Sequence, residues 1–546
     1  MMWFQNSKLT ESIRNQTHTD SIFNTSKKKV HGGARDMTIS EHARRVAWLL
    51  MAVTALLVWR VSRAEVISAD GLRYTTQAKK IAAGDWQGGL VGSVDHPMYP
   101  LQIAAVWTIV GMPDTPVGWQ NAAWTASLIH GILIVIPLYC MGRSLFGDQV
   151  AWLGVASFYA VPHTSQILAD ALSESTFLHF WCWSVAFALE FLKRGRPGWL
   201  AGVAVAGAMA YWTRPEGLLI CIALGLTILV TPLLPRTRID WPRLGRVMAM
   251  LGLATAIFSV PVILSRGSIG TKPAIAKVIG LEKRAAAHAV ERERPLNPNQ
   301  TELETWALAA SAFYRATKEA TTTVGLILAV VGLLTWKRLN AASARSGLLI
   351  LFILSLSAVA LIRLHATQGY CAPRHTMVPS QILLIATGAG LFWVSSRAMQ
   401  ILARMKWIPE GIQAQPGPAI WLIIAFIWGI SQAQAFMKPI GNDALGYKLA
   451  GEYLQKQISN SAEPIIDLTG WAPFYANHPG YTFKNLNDAF TNHDARFLVV
   501  RQAHLMGPWD YCRTMEKLTE GATEVAIFPA NSGRRQSRVS VYELKK

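Results

Sequence analysis

Apolar runs of membrane-crossing length recur along most of this chain, and a bilayer is the one solvent in which so many can be accommodated. They read near 44–61, 120–141, 149–163, 172–192, 198–212, 215–233, 244–264, 322–336, 345–362, 375–395 and 419–437, eleven in all. A straight helical crossing takes about 20 apolar residues, because each residue rises about 1.5 Å through a hydrocarbon layer about 30 Å thick. Several runs are shorter than that, so their ends are expected to shift by a few residues. Only 16% of the 546 residues are charged, against about a quarter in a soluble chain. The 21 Trp residues suit the membrane–water interface. The expected fold class is an all-α polytopic membrane protein.

The net charge of +19 does not indicate a nucleic-acid partner. Its bases fall in short clusters between apolar runs, as the positive-inside rule requires. With Arg44 and Arg45 in the cytoplasm, the inward loops carry Arg143; Lys193, Arg194 and Arg196; Arg236, Arg238, Arg243 and Arg246; Lys337, Arg338 and Arg345; and Arg397, Arg404 and Lys406. The outward segment 163–171 has no Lys or Arg, and 213–216 has only Arg214. Eleven crossings put the N-terminus inside and the C-terminal segment outside. Residues 1–43 read as a disordered cytoplasmic tail without a signal-peptide core. The expected setting is a cell membrane of the bacterial inner-membrane kind.

Two outward loops are long, 62–119 and 265–321, and loops of that length are usually functional. Within the first, 97–112 follows a Pro and is too short to cross, so it reads as an interfacial or re-entrant helix. The second reads as an amphipathic interfacial helix, a Pro-punctuated loop and a helix at 301–320. Residues 441–546 change character. DALGYKLAGEYLQKQI has helical periodicity, PIIDLTG, RFLVVRQ, TEVAIFP and RVSVYEL read as strands, and DYCRTMEKLTE as a helix between them. This predicts a small extracytoplasmic α/β domain. It has no GxGxxG and no P-loop, so a nucleotide is not indicated. Of the five Cys, Cys140, Cys182 and Cys221 lie in apolar runs, and Cys371 and Cys512 face outward, where a bridge between them is one pairing the layout allows.

Ionisable side chains near hydrocarbon are costly and usually face a cavity. Here acids gather at outward helix ends: Asp70, Asp85, Asp95, Asp170, Glu174 and Glu216. Arg73, Arg214, Arg374 and His375 join them. Both signs at one face fit a site for an anionic substrate. Arg73 and Tyr74 follow Asp70 by one helical turn, on its side. Asp70 could serve as a proton acceptor or merely cap a helix. Asp170 and Glu174 are four residues apart and fit either a shared face or a helix start. Arg214 and Glu216 could simply pair with each other.

These stretches resemble the GT-C type of membrane glycosyltransferase, in particular protein O-mannosyltransferases and the bacterial lipid A aminoarabinose transferase. The likeness lies in Asp70, Arg73-Tyr74, Gly84-Asp85-Trp86 and His96-Pro97-Met98-Tyr99-Pro100, then LADALSEST (168–176), YWTRPEGLL (211–219) and GYCAPRHTMVP (369–379). The resemblance spans roughly residues 60–380 and keeps the motifs in order. It implies that Asp70 is the catalytic base. It implies substrate contacts for Arg73, Tyr74, Asp95, His96, Asp170, Glu174, Arg214, Glu216, Tyr370, Arg374 and His375. Many members have two adjacent acids where this chain has Asp70-Gly71, which leaves a second acid to Asp95 or a later loop. The implied donor is a polyprenyl-phosphate sugar, and the acceptor is an extracytoplasmic protein, lipid or glycan. The resemblance names no certain cofactor, and a divalent metal held by Asp95 and His96 with help from elsewhere stays open. The rival readings are a transporter or flippase of the lipid-linked sugar, which predicts broken helices at mid-membrane depth, and a non-catalytic scaffold of the same fold.

Overall fold

The computed structural model describes residues 39–545 except 92, 94, 234–240, 267–300, 337–343, 406–417, 484, 493, 506–509 and 530–537. A helix lies at each of the eleven expected crossings. The helices of this part are α1 (Ile39–Ser62), the outer-loop helices α2 (Ala69–Ala82) and α3 (Met98–Val110), α4 (Pro116–Leu133), α5 (Val135–Phe146), α6 (Asp148–Tyr159), α7 (Pro162–Ala169), α8 (Glu174–Arg194), α9 (Pro197–Thr213), α10 (Leu219–Val230), α11 (Trp241–Arg266), α12 (Glu302–Thr321), α13 (Thr323–Thr335), α14 (Ala344–Gln368), α15 (Met377–Arg404) and α16 (Pro418–Met437). Among the described residues, seven helices are long and apolar enough to cross a bilayer, or eight if the bent pair α12–α13 is one span.

The differences from the sequence reading have local causes. Residues 39–43, expected in the disordered tail, already belong to α1; residues 1–38 lie outside the described part. The run 120–141 is split at Ile134 into α4 and α5. The run 149–163 divides because Pro162 starts α7, leaving α6 with 12 residues, about 18 Å of helix. The expected helix at 301–320 is α12, opened by a Thr301–Glu304 capping box, whereas the amphipathic helix expected before it lies outside the described residues. Between α12 and α13 the axis turns by 96° at Thr322, whose φ is +64°.

Small residues let the helices approach closely, as membrane interfaces need. A Cβ on Gly390 would sit 1.9 Å from Leu328 O, and one on Gly332 would sit 2.0 Å from Ala386 O, so α13 and α15 touch backbone to backbone. The buried core fills the bundle with Leu138, Phe158, Trp181, Leu189 and Ile385. Helix α8 runs its full length through this core. Its 21 residues span about 30 Å, with Glu174 at one end and the basic Lys193 and Arg194 at the other.

The C-terminal part contains α17 (Leu445–Gln457), α18 (Trp471–Ala476), α19 (Leu486–Asn492) and α20 (Asp510–Thr519), with β1 (Ile465–Ile466), β2 (Gly480–Tyr481), β3 (Phe497–Arg501), β4 (Thr523–Phe528) and β5 (Val539–Glu543). The sheet order is β2-β1-β3-β5-β4, parallel on the β1 side and antiparallel around β5. Alternation along β3 sorts its faces. Phe497 and Val499 pack with Tyr447 and Leu454 of α17, while Leu498 and Val500 pack with Leu486 of α19 and Met515 of α20. All four expected strands and both expected helices are present. The short α18, α19 and β2 carry too few residues for a periodic signal. All five cysteines are free, so the Cys371–Cys512 bridge does not form: Cys512 is buried within this unit, while Cys371 lies in the turn before Pro373.

Candidate active site

Four segments distant in sequence meet at one end of the bundle. The first is the start of α2. Ser68, in extended backbone, caps it by accepting from Gly71 N, so the cap is Ser68 rather than Asp70. That frees Asp70, in the first turn, to face Arg73 one turn on. Arg73 Nη1 lies 2.7 Å from Asp70 Oδ1. Its Nε and Nη2 donate to Asp95 Oδ2 and Oδ1 at 2.9 and 3.2 Å, a two-point grip on a carboxylate that is 1% exposed.

The late turn Pro373–Thr376 supplies Arg374, whose Nη1 donates to Asp70 Oδ2 at 2.6 Å. Both oxygens of Asp70 are therefore held by guanidinium groups from opposite sides. The TRPEG turn supplies Arg214, which donates to Glu174 Oε1 at 2.7 Å and Glu216 Oε1 at 3.1 Å and lies over the Phe177 ring. Glu174 is buried, and among the described residues its second oxygen finds no hydrogen-bond partner. Glu174, Phe177, Arg214, Glu216, Arg374, His375, Met377 and Val378 line one small cavity of about 20 Å³, room for a single water.

The remaining expected residues sit around this cluster. The Tyr74 hydroxyl pairs with Ser173 Oγ at 3.1 Å, and burial together with the Asp95 and Asp70 charges raises its pKa. Burial opposes the Arg73 charge, but Asp95 and Asp70 outweigh it and raise its pKa. His96 is buried edge-on to Tyr211. His375 Nδ1 accepts from Ala372 N and shapes the late turn; the exposed Tyr370 ring stands 5.6 Å from it. Asp170 faces backbone: its Oδ1 accepts from Ala171 N at 2.7 Å and Ser68 N at 3.3 Å. Burial pushes its pKa up to about 7, against the pull of those two N–H groups. Asp85 is apart from the cluster and caps its own turn through Gly88 N.

Sequence reasoning missed Ser68, Ser173 and Phe177, whose parts depend on long-range packing. Among the described residues, no three His, Cys, Asp or Glu side chains gather to hold a metal ion. Asp95 is held by Arg73 through both oxygens and His96 lies edge-on to Tyr211, so among the described residues this pair is not part of such a group. A larger cavity, about 370 Å³, lies at the far end of α8, among Arg143, Asp148, Glu190, Lys193 and Arg194. Its arginines pair internally with Asp148 and Glu190, as interfacial bases do. The chemistry concentrates at the smaller cavity, where buried carboxylates and guanidinium groups converge.

Residues 95–264 match the dolichyl-phosphate-mannose-protein mannosyltransferase family. No curated protein matches the chain. Among solved structures, ArnT from Cupriavidus metallidurans bound to undecaprenyl phosphate superposes with a TM-score of 0.60 at 15% identity, covering 92% of this chain and 98% of that one. The archaeal oligosaccharyltransferase AglB from Archaeoglobus fulgidus, in complex with an inhibitory peptide and a dolichol-phosphate, gives 0.55 at 10% identity, covering 85% and 70%. The Archaeoglobus fulgidus oligosaccharyltransferase tethered with an acceptor peptide gives 0.56 at 11%, covering 93% and 74%. The chain thus has the GT-C fold of polytopic membrane glycosyltransferases and resembles the protein mannosyltransferases and ArnT, as its motifs imply.

Proposed function

We propose that this protein is a glycosyltransferase that moves a sugar from a polyprenyl-phosphate carrier to an acceptor on the extracytoplasmic side. The observation that carries the reading is the contact between Asp70 and Arg374. It joins a candidate base to a candidate phosphate ligand at one end of a membrane bundle. That end is taken as the outer one because the bases at the other end of α8 follow the positive-inside rule. The C-terminal α/β unit packs on the same end as Asp70; on this reading it is an extracytoplasmic domain of residues 441–546 beside a catalytic membrane domain of residues 44–438. The cell inner membrane is the setting this layout fits.

In the proposed step the acceptor hydroxyl attacks the anomeric carbon. Its proton passes to Asp70, a bond forms from the acceptor oxygen to carbon, and the bond from carbon to the phosphate oxygen breaks. Polyprenyl phosphate leaves with that electron pair, and the anomeric centre inverts. Arg374 exchanges Asp70 Oδ2 for a phosphate oxygen, which frees the carboxylate as it stabilises the leaving group. Such fixed charge is usually the largest contribution to a step of this kind, and the planar guanidinium suits phosphate. Arg73 keeps Asp70 in place while Asp95 anchors Arg73. Glu174 and Glu216 present carboxylate oxygens that can accept sugar hydroxyls, with Arg214 between them. His375 completes the cavity wall, and Tyr74, His96 and Tyr370 stand around the cluster as further substrate contacts.

The test is to incubate purified protein with labelled polyprenyl-phosphate sugars and membranes, then identify what carries label. Transfer to an acceptor supports the reading. Movement of intact lipid-linked sugar across vesicles, without transfer, would replace it with the transporter.

A further inference from the structure

The segment that leads from α1 to Asp70 has no regular structure from Arg63 to Ser68, yet Val66 and Ile67 are completely buried. Val66 belongs to a buried cluster with Ala444 and Tyr475 of the C-terminal part, and Ile67 to one that joins α2–α4 to Trp471 and Phe474 of that part. Arg60 Nη1 donates to Phe436 O and Lys438 O, and Arg63 Nη2 to Met437 O. Glu65 N donates to Ile440 O at 2.8 Å, and Lys448 Nζ to Glu65 O at 3.2 Å. Gly441, with φ +74°, passes so close that a Cβ there would lie 2.0 Å from Val66 O.

The last two contacts come from α18. Trp471 Nε1 donates to Ile67 O at 2.8 Å, and the Tyr475 hydroxyl accepts from Ile67 N at 3.3 Å. Both backbone groups of Ile67, three residues before Asp70, are thus held by side chains of the C-terminal unit. The same hydroxyl donates to Gln120 Oε1 of α4, so the fastening reaches the bundle. From the opposite side Asp170 accepts from Ser68 N, and Ser68 Oγ donates to Ala171 O while capping α2.

We infer that Tyr475 and Trp471 are positioning residues that fix the first turn of α2, and through it the aim of Asp70. The inference rests on the proposed role of Asp70. Helix α18 acts through the Ile67 backbone, which its Trp471 and Tyr475 side chains hold. Reacting groups tolerate little displacement, and a shift of about 1 Å can cost about 100-fold in rate. A loosened α2 start therefore lowers turnover and leaves binding of the phosphate carrier, which depends on Arg374, nearly unchanged.

The experiment uses full-length protein in nanodiscs. Tyr475→Phe deletes the hydroxyl and keeps the ring. Three quantities are read: affinity for undecaprenyl phosphate, hydrogen exchange of the amides in residues 69–74, and the rate and KM with a labelled undecaprenyl-phosphate sugar that the unaltered protein uses. Expected are faster exchange at 69–74, kcat lower by about tenfold, and KM and carrier affinity within twofold. Should Tyr475→Phe not fold, Trp471→Phe, which removes the bond to Ile67 O, is judged on the same readings. Unchanged exchange and unchanged kcat overturn the inference, as does a rate loss fully matched by loss of folded protein. Asp70→Asn separates the two claims. Normal transfer by Tyr475→Phe beside an inactive Asp70→Asn overturns this inference alone. Full transfer by Asp70→Asn overturns the base assignment and this inference with it.

Discussion

Arg374 Nη1 lies 2.6 Å from Asp70 Oδ2 although 304 residues separate the two in sequence. Neither α2 nor the late turn needs this contact for its own helical geometry. It brings a carboxylate and a guanidinium together at the mouth of the bundle, and the chemistry proposed above follows from it.

Replacing Asp70 by Asn keeps the shape and removes the proton acceptor. Transfer should fall by about 100- to 10,000-fold, the usual worth of general base catalysis, while undecaprenyl phosphate still binds. A transfer assay paired with carrier binding checks this, and activity near normal would refute the assignment.

Arg374→Lys keeps the charge and loses the planar fork. Carrier affinity and kcat should both drop, kcat by about 100-fold, as when one donor to a developing charge is removed. A variant with kcat intact would move the phosphate site to Arg214 or Arg73.

Glu174→Ala leaves the mostly buried Arg214 with Glu216 alone. Unfolding should become easier by about 3 kcal/mol, the low end for breaking a buried ion pair, because one partner remains. Denaturation in detergent measures it, and Arg194→Ala serves as a control: its pair with Glu190 is half-exposed, and its loss should cost under about 1 kcal/mol.

Asp467 links pH to the stability of the C-terminal unit. It caps the segment carrying Trp471 and Tyr475 by accepting from Thr469 N, Thr469 Oγ1 and Ala472 N. Burial pushes its pKa up to about 6, against those hydrogen bonds. Since the ordinary value is 3.8, the folded chain binds the extra proton between the two. Its contribution to stability is therefore fully present below pH 3.8 and lost as pH rises through about 6, on the order of 3 kcal/mol for two pKa units. Hydrogen exchange at 465–476 between pH 4 and 8 should show this slope, and Asp467→Asn should flatten it. An unaltered slope in the variant would assign it to another group.

The helices were legible because apolar length and basic loops are written locally. The α12–α13 break was legible as two segments, but its angle was not, since it depends on the backbone of Thr322. The cluster of Asp70, Arg73, Asp95, Glu174, Arg214, Glu216 and Arg374 was readable from motif order and sidedness. Spacing alone left Asp70 equally suited to cap a helix, and only the extended backbone of Ser68 shows which residue does so. Asp170 read as a substrate contact, yet its oxygen turns to the Ser68 and Ala171 amides, a choice made by tertiary packing. Trp471 and Tyr475 gave no signal, because a six-residue helix containing Pro473 has no readable period.

The bonds from Trp471 and Tyr475 to Ile67 cross 404 and 408 residues of sequence. At about 5–20 residues per second, the ribosome completes α2 roughly 20–80 s before it makes the side chains that fasten it. For that interval the growing protein sits in the membrane with Val66 uncovered and the Ile67 backbone unfastened. Newborn chains should therefore be recognisable to proteases at residues 63–68, and a messenger cut short before codon 471 should yield an inserted bundle that never becomes competent.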